Sequence, residues 1–218
     1  MKKPSIEELW DETLYTKLAE LPYNDMVTFV QKEFGIGSPT TRLYIGLNIL
    51  VFFVMLALGI WHIRSGFIGF WALIAYVFLG FCIVLSILIP VHEAIHGLAY
   101  KILGAPKVNY GANLRNFYFY AVADGFVLGR SAFQFLALAP FILISIAVIA
   151  GIAFAASIYW QWILWGVLLM HVGACAGDFG MLGFYARHKE GNIFTYDDVP
   201  GKMAYFFQEK RQVEDSKI

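Results

Sequence analysis

The stretch FIGFWALIAYVFLGFCIVLSILIPV, residues 67–91, runs for 25 residues without a charged side chain. As a helix rising 1.5 Å per residue it measures about 37 Å, enough to cross the roughly 30 Å hydrocarbon core of a bilayer. Three more apolar runs of comparable length lie at Leu43–Trp61, Ala132–Ile158 and Trp160–Tyr185, the last interrupted only by His171 and Asp178. The chain is 59% hydrophobic and 15% charged, where soluble domains average about 45–50% and 25%. A disordered chain is thereby excluded, and the composition argues strongly against an ordinary soluble domain. With 16 basic and 16 acidic residues the net charge is zero, so no overall field recruits nucleic acid, and none is expected as a partner. Cys82 and Cys175 both sit inside apolar runs, which argues against a disulfide framework.

These runs predict an all-α integral membrane protein of four transmembrane helices, with a short hairpin or re-entrant element between helices 2 and 3. Three segments follow: an amphipathic N-terminal segment over 1–41, a membrane domain over 42–186 and a tail over 187–218. Lys2-Lys3 resembles the basic start of a signal peptide, but Pro4–Glu12 follows with four acidic residues in place of an apolar core, so cleavage is not expected. Ser5 and Glu8 form a capping box for a helix to about Glu20, and Asn24 is placed to cap another ending near Gly35-Ile36-Gly37. Both are expected to lie on the inner leaflet as interfacial helices. Val108–Val127, aromatic and β-branched with Gly, Asn and Asp punctuation, reads as the hairpin.

Fifteen of the sixteen Lys and Arg residues fall in the N-terminal segment, the segment between helices 2 and 3, and the tail; only Arg64 lies in the opposite turns. Because Lys and Arg accumulate on the cytoplasmic side, both termini are expected there, in a multi-pass protein of the cell membrane. Trp61, Trp71, Trp160, Trp162 and Trp165 cluster near the two charge-poor turns, where an aromatic belt on the other face belongs.

The end of helix 2 reads Pro90-Val91-His92-Glu93-Ala94-Ile95-His96-Gly97. Histidines at i and i+4 share one helix face, so both imidazoles can reach one zinc ion while Glu93 beside them serves as general base. From this composition an H-E-x-x-H string arises by chance in roughly one such sequence in two hundred. Three ionisable groups in five residues of membrane helix are costly unless used. Zinc catalysis needs a third protein ligand and an open fourth position. Helix 4 offers His171 and Asp178, seven residues apart and within about 20° on one face, with Cys175, a possible soft ligand, about 40° from His171. Asp178 and His92 both lie about 12–14 Å from the cytoplasmic ends of their helices and can meet near one level. In an unbroken helix His171 sits about 10 Å beyond Asp178, too far for both to bind one ion, which points His171 to a supporting role. Asp124 is a loop carboxylate that could touch substrate, His62 reads as interfacial and His188 as a headgroup contact.

The H-E-x-x-H late in one apolar helix, with an aspartate late in a following one, resembles the intramembrane zinc proteases of the site-2 protease type. Val91-His-Glu-Ala-Ile-His-Gly-Leu-Ala, Ala139-Pro140-Phe141 opening helix 3 and Gly177-Asp178 in helix 4 more closely resemble a bacterial family of unknown function described as putative zincin peptidases. The likeness spans roughly Leu43 to Ala204. It implies a zinc endopeptidase with His92, His96 and Asp178 as ligands, Glu93 as base, and a membrane-spanning or membrane-proximal protein or peptide as substrate. Two rivals from other classes are a non-catalytic metal-binding membrane scaffold and a b-type haem protein using His171 with His92 or His96.

Overall fold

A computed structural model of the chain describes residues 3–113 and 118–210. Lys2, Arg115, Arg211 and Lys217, counted above among the basic residues, lie outside the described residues. Four helices are long and apolar enough to cross a membrane: Pro39–Arg64, Phe70–Ile102, Arg130–Phe154 and Ile158–Arg187. Large apolar side chains such as Leu50, Phe53, Phe78 and Ile146 point outward along them and are exposed, as lipid-facing surfaces are.

The first span is the unbroken helix α3 (Pro39–Arg64), which Ser38 caps through a bond from the Thr41 amide. The second is α4 (Phe70–Ile83), one π turn at Val84–Leu88, and α5 (Ile89–Ile102). Pro90 explains the π turn: it offers no N–H to the carbonyl four residues earlier and its ring crowds that carbonyl, so the ladder slips. The helix thus runs eleven residues past Val91, where the uncharged run ended. The third span is α6 (Arg130–Phe154), with Pro140 inside it. The fourth is interrupted at Cys175 (φ −74°, ψ 11°), which separates α7 (Ile158–Ala174) from α8 (Ala176–Arg187).

Two glycines decide how α4 and α7 pack. A Cβ at Gly166 would stand 2.3 Å from the Val77 carbonyl oxygen, and one at Gly80 would stand 2.3 Å from that of Ile163. Backbone therefore lies on backbone, the close approach that small residues permit between apolar helices.

The chain is not purely all-α. Strands β1 (Tyr15–Pro22), β4 (Leu128–Gly129), β5 (Ile193–Asp198) and β6 (Met203–Glu209) form a sheet ordered β1-β6-β5-β4, all antiparallel. The expected helix to Glu20 is only α1 (Ile6–Leu9), with its Ser5/Glu8 capping box intact. Beyond it the run Tyr15-Thr-Lys-Leu-Ala-Glu-Leu-Pro pairs with Met203–Glu209, and long-range pairing outweighs local helix preference. The N-terminal segment and the tail, far apart in sequence, thus share one sheet, and β4 joins the segment before α6 to it. The second N-terminal helix is α2 (Met26–Ile36), ended by left-handed Gly37. Asn24 does not cap it; its side-chain oxygen instead accepts from Asn113. The hairpin is present as β2 (Asn109–Asn113) paired with β3 (Tyr118–Val122).

Candidate metal centre

His92, Glu93 and His96 lie on α5 just past the π turn, and Asp178 lies in the first turn of α8, where the helix dipole favours a carboxylate. The two imidazoles meet with Nε2 atoms 3.1 Å apart. Asp178 Oδ2 is 3.3 Å from His92 Nε2, and its Oδ1 is 3.3 Å from His96 Nε2. One ligand atom from each of the three residues lies within 4.8 Å of the others.

Pro140 orients this cluster. Lacking an N–H, it leaves the carbonyl of Leu136, four residues earlier, without its helical donor. That carbonyl lies 3.1 Å from His96 Nδ1 and accepts its proton. The tautomer so assigned turns the Nε2 lone pair of His96 towards Asp178 and His92, the arrangement that supports metal-ligating histidines. A neutral nitrogen lone pair facing carboxylate oxygens at 3.3 Å is repulsive unless a cation or proton lies between them. Two imidazole nitrogens and a carboxylate are a donor set suited to a divalent ion of the zinc type with one place left open.

Glu93 points beside this cluster. The Ala121 backbone amide, on β3, donates to its carboxyl group, and its buried Oε2 has no hydrogen-bond partner among the described residues. The hairpin thus holds the acid without occupying both oxygens.

His171 stands beside His92 but falls in no ligand group with Asp178. With α7 and α8 interrupted at Cys175, its ring centroid is 5.9 Å from that of His92, and its two ring nitrogens each lie 4.0 Å from Cys175 Sγ. Asp124 does not join the site; its Oδ1 accepts from the Val199 amide. His62 packs between Trp61 and Trp162, and the Nδ1 of His188 meets the Phe184 carbonyl.

A cavity of about 650 Å³ opens onto His92, Glu93, His171 and Asp178. Its walls are apolar: Met26, Val30 and Phe34 of α2, Val84 and Leu88 of the π turn, and Met170 of α7. The spacing of Met26, Val30 and Phe34 marks one helix face in the sequence, but nothing there says what that face covers. Val30 seats against Gly180, where a Cβ would come within 2.8 Å of it. Glu33, fully buried, receives Arg187 from the end of α8 through Nε at 2.9 Å and through a second, shorter contact from its Nη2.

The profile of one protein family, described as "Putative zincin peptidase", matches residues 85–193. Searches of curated proteins and of solved structures return no match. The matched half of the chain opens in the π turn, takes in His92, Glu93, His96, Pro140 and Asp178, and leaves out α2 and most of the sheet. A zincin peptidase is a metallopeptidase, and the donor set found here is one that could hold a metal ion. By this match over residues 85–193, the chain belongs to the family of putative zincin peptidases.

Proposed function

We propose that the chain is a membrane-embedded, zinc-dependent endopeptidase acting on membrane-spanning or membrane-proximal proteins or peptides. The observation that carries this reading is the convergence of His92, His96 and Asp178 within 3.3 Å contacts, beside an apolar cavity that His92, Glu93 and Asp178 line. His92 and His96 through Nε2, and Asp178 through its carboxylate, would hold the ion. Zinc, when bound, supplies the Lewis acidity that makes a water nucleophilic near neutral pH and polarises the scissile carbonyl. Glu93 takes a proton from the attacking water on its unpartnered oxygen and delivers it to the leaving amine as the C–N bond breaks and the C–O bond stands. The hairpin amide at Ala121 keeps that carboxyl aimed at the site.

An extended substrate suits this geometry, because the carbonyls of a helix are shielded from attack. The edge of β3 away from β2 turns its Ala121 amide towards Glu93, which supports a substrate strand adding along that edge. This reading puts the protein in the cell membrane with both termini cytoplasmic. The Lys/Arg distribution supports this orientation, and the sheet shared by β1, β4, β5 and β6 supports a common side for the N-terminal segment and the tail.

Glu93→Gln tests the reading. Purified in detergent and offered a library of apolar-flanked peptides, the wild-type chain cleaves, and the variant keeps its metal but loses about 10²–10⁴-fold in rate. Equal rates for the two proteins rule out Glu93 as the base, and a metal-loaded wild type that cleaves nothing leaves a metal-binding scaffold in place of a peptidase.

A further inference from the structure

The chemistry proposed above uses neither His171 nor Cys175, yet both are buried, at 1% and 0% exposure, beside an imidazole that it does use. One ligand atom from each of His92, His171 and Cys175 lies within 4.8 Å of the other two, as in the cluster with His96 and Asp178. His171 and Cys175 are separated by one helical turn at the end of α7, so both project from one face. A ring nitrogen of His171 bonds the Phe141 backbone carbonyl. This leaves its other nitrogen with a free lone pair and fixes the ring, as a carbonyl partner does for a ligating histidine.

We propose that His92, His171 and Cys175 form a second cation position, selective for a thiophilic d¹⁰ ion such as Zn²⁺ or Cd²⁺. Two imidazoles and a thiolate are a borderline-soft donor set that rejects Mg²⁺ and Ca²⁺. Bonds of about 2.0–2.1 Å to nitrogen and about 2.3 Å to sulfur put tetrahedral ligands roughly 3.4–3.6 Å apart. Both His171 ring nitrogens stand 4.0 Å from Sγ, so the thiol lies off either lone pair, and binding closes the gap by about half an ångström through rotation of the Cys175 side chain. The Cys175 thiol gives up its proton as the S–metal bond forms, and the proton leaves by way of the cavity that His92 and His171 line. His92 belongs to both clusters, so an ion in the second position draws it away from His96 and Asp178, and a soft metal in excess competes with the first site.

The probe is Cd²⁺ alone, added to metal-stripped, detergent-purified full chain carrying Cys82→Ala, so that Cys175 is the sole thiol. Titration should raise a thiolate-to-metal charge-transfer band in the near ultraviolet corresponding to one sulfur per chain. The band should vanish in Cys175→Ser and require at least tenfold more Cd²⁺ in His171→Ala. It should persist in His96→Ala and Asp178→Ala, which remove only the first site. Absence of the band at saturating Cd²⁺, or a band indifferent to His171→Ala, overturns the proposal. A second reading, independent of whether Cys175→Ser folds, comes from ¹¹³Cd NMR of the Cys82→Ala chain: a resonance in the mixed nitrogen–sulfur range is expected, and nitrogen–oxygen shifts alone contradict it. Loss of zinc from the first site leaves these outcomes unchanged, so failure of the peptidase reading and failure of this one are separable.

Discussion

Replacing Pro140 by alanine should weaken the metal site while sparing the fold, two effects of opposite sign from one substitution. In α6 the Leu136 carbonyl is free for His96 Nδ1, 3.1 Å away, because Pro140 has no N–H to give it. The alanine of Pro140→Ala restores that N–H, and the carbonyl returns to the helix ladder. His96 then loses the partner that fixes its tautomer and ring plane, a loss that typically costs 10–100-fold in metal affinity, or about 1.4–2.7 kcal/mol. The helix itself gains about 3 kcal/mol in propensity on exchanging an interior Pro for Ala. Deleting two buried ring carbons returns about 1.6 kcal/mol of that. Metal-free stability should therefore hold or rise by about 1 kcal/mol. Zinc affinity is measured by competition with a chromophoric chelator in a Cys175→Ser background, and stability by thermal unfolding of the stripped protein. Affinity within twofold of the parent, with the fold intact, refutes the assignment of the Leu136 carbonyl as the group that orients His96.

Gly166→Ala forces a carbon to within 2.3 Å of the Val77 carbonyl oxygen and should cost about 1–3 kcal/mol, lowering the melting temperature by roughly 2–4 °C per kcal/mol. Gly46→Ala, with nothing within 4 Å of its new carbon, is the control and should melt at or above the parent. Arg187→Ala strands the buried Glu33 carboxylate and should destabilise by about 3 kcal/mol, the low end for a broken buried pair. Glu33→Met together with Arg187→Met should recover most of that loss in a thermal melt, and a double variant as unstable as the single one contradicts the pairing. Burial, followed by the neighbouring Asp124 carboxylate, pushes Asp197 up to about 7 from an ordinary 3.8, against the opposing bonds from Tyr23 and Tyr100. Between those values the folded chain holds a proton that the unfolded chain has lost, so stability falls as pH rises from about 4 to 7 and then levels off. Melting curves from pH 5 to 8 should show that slope in the wild type and a shallower one in Asp197→Asn.

The four spans were legible because apolar length is a local property, and His92-Glu93-x-x-His96 because helical spacing is local too. What escaped the sequence depends on non-local pairing or on backbone slips. Tyr15–Pro22 has too weak an alternation to declare itself a strand; its partner, Met203–Glu209, lies at the other end of the chain. The approach of His171 to His92 joins two spans and so has no local signal, and the interruption at Cys175 has no Pro to announce it. Pro140 was visible as a residue, but its use appears only when the Leu136 carbonyl is seen against His96. The closure of the cavity by α2 was likewise hidden, since an amphipathic face on a membrane protein suits lipid as well as another helix.

Zinc content of the purified chain bears most directly on the claim that His92, His96 and Asp178 hold a catalytic metal. In the Cys175→Ser background, which removes the second cation position, about one zinc per chain is expected, retained in Glu93→Gln and in His171→Ala. It should fall to the same low level in His92→Ala, His96→Ala and Asp178→Ala, since removing one of three protein ligands leaves an incomplete site. Zinc kept by Asp178→Ala but lost from His171→Ala would contradict the account and move the metal to a site built from three histidines.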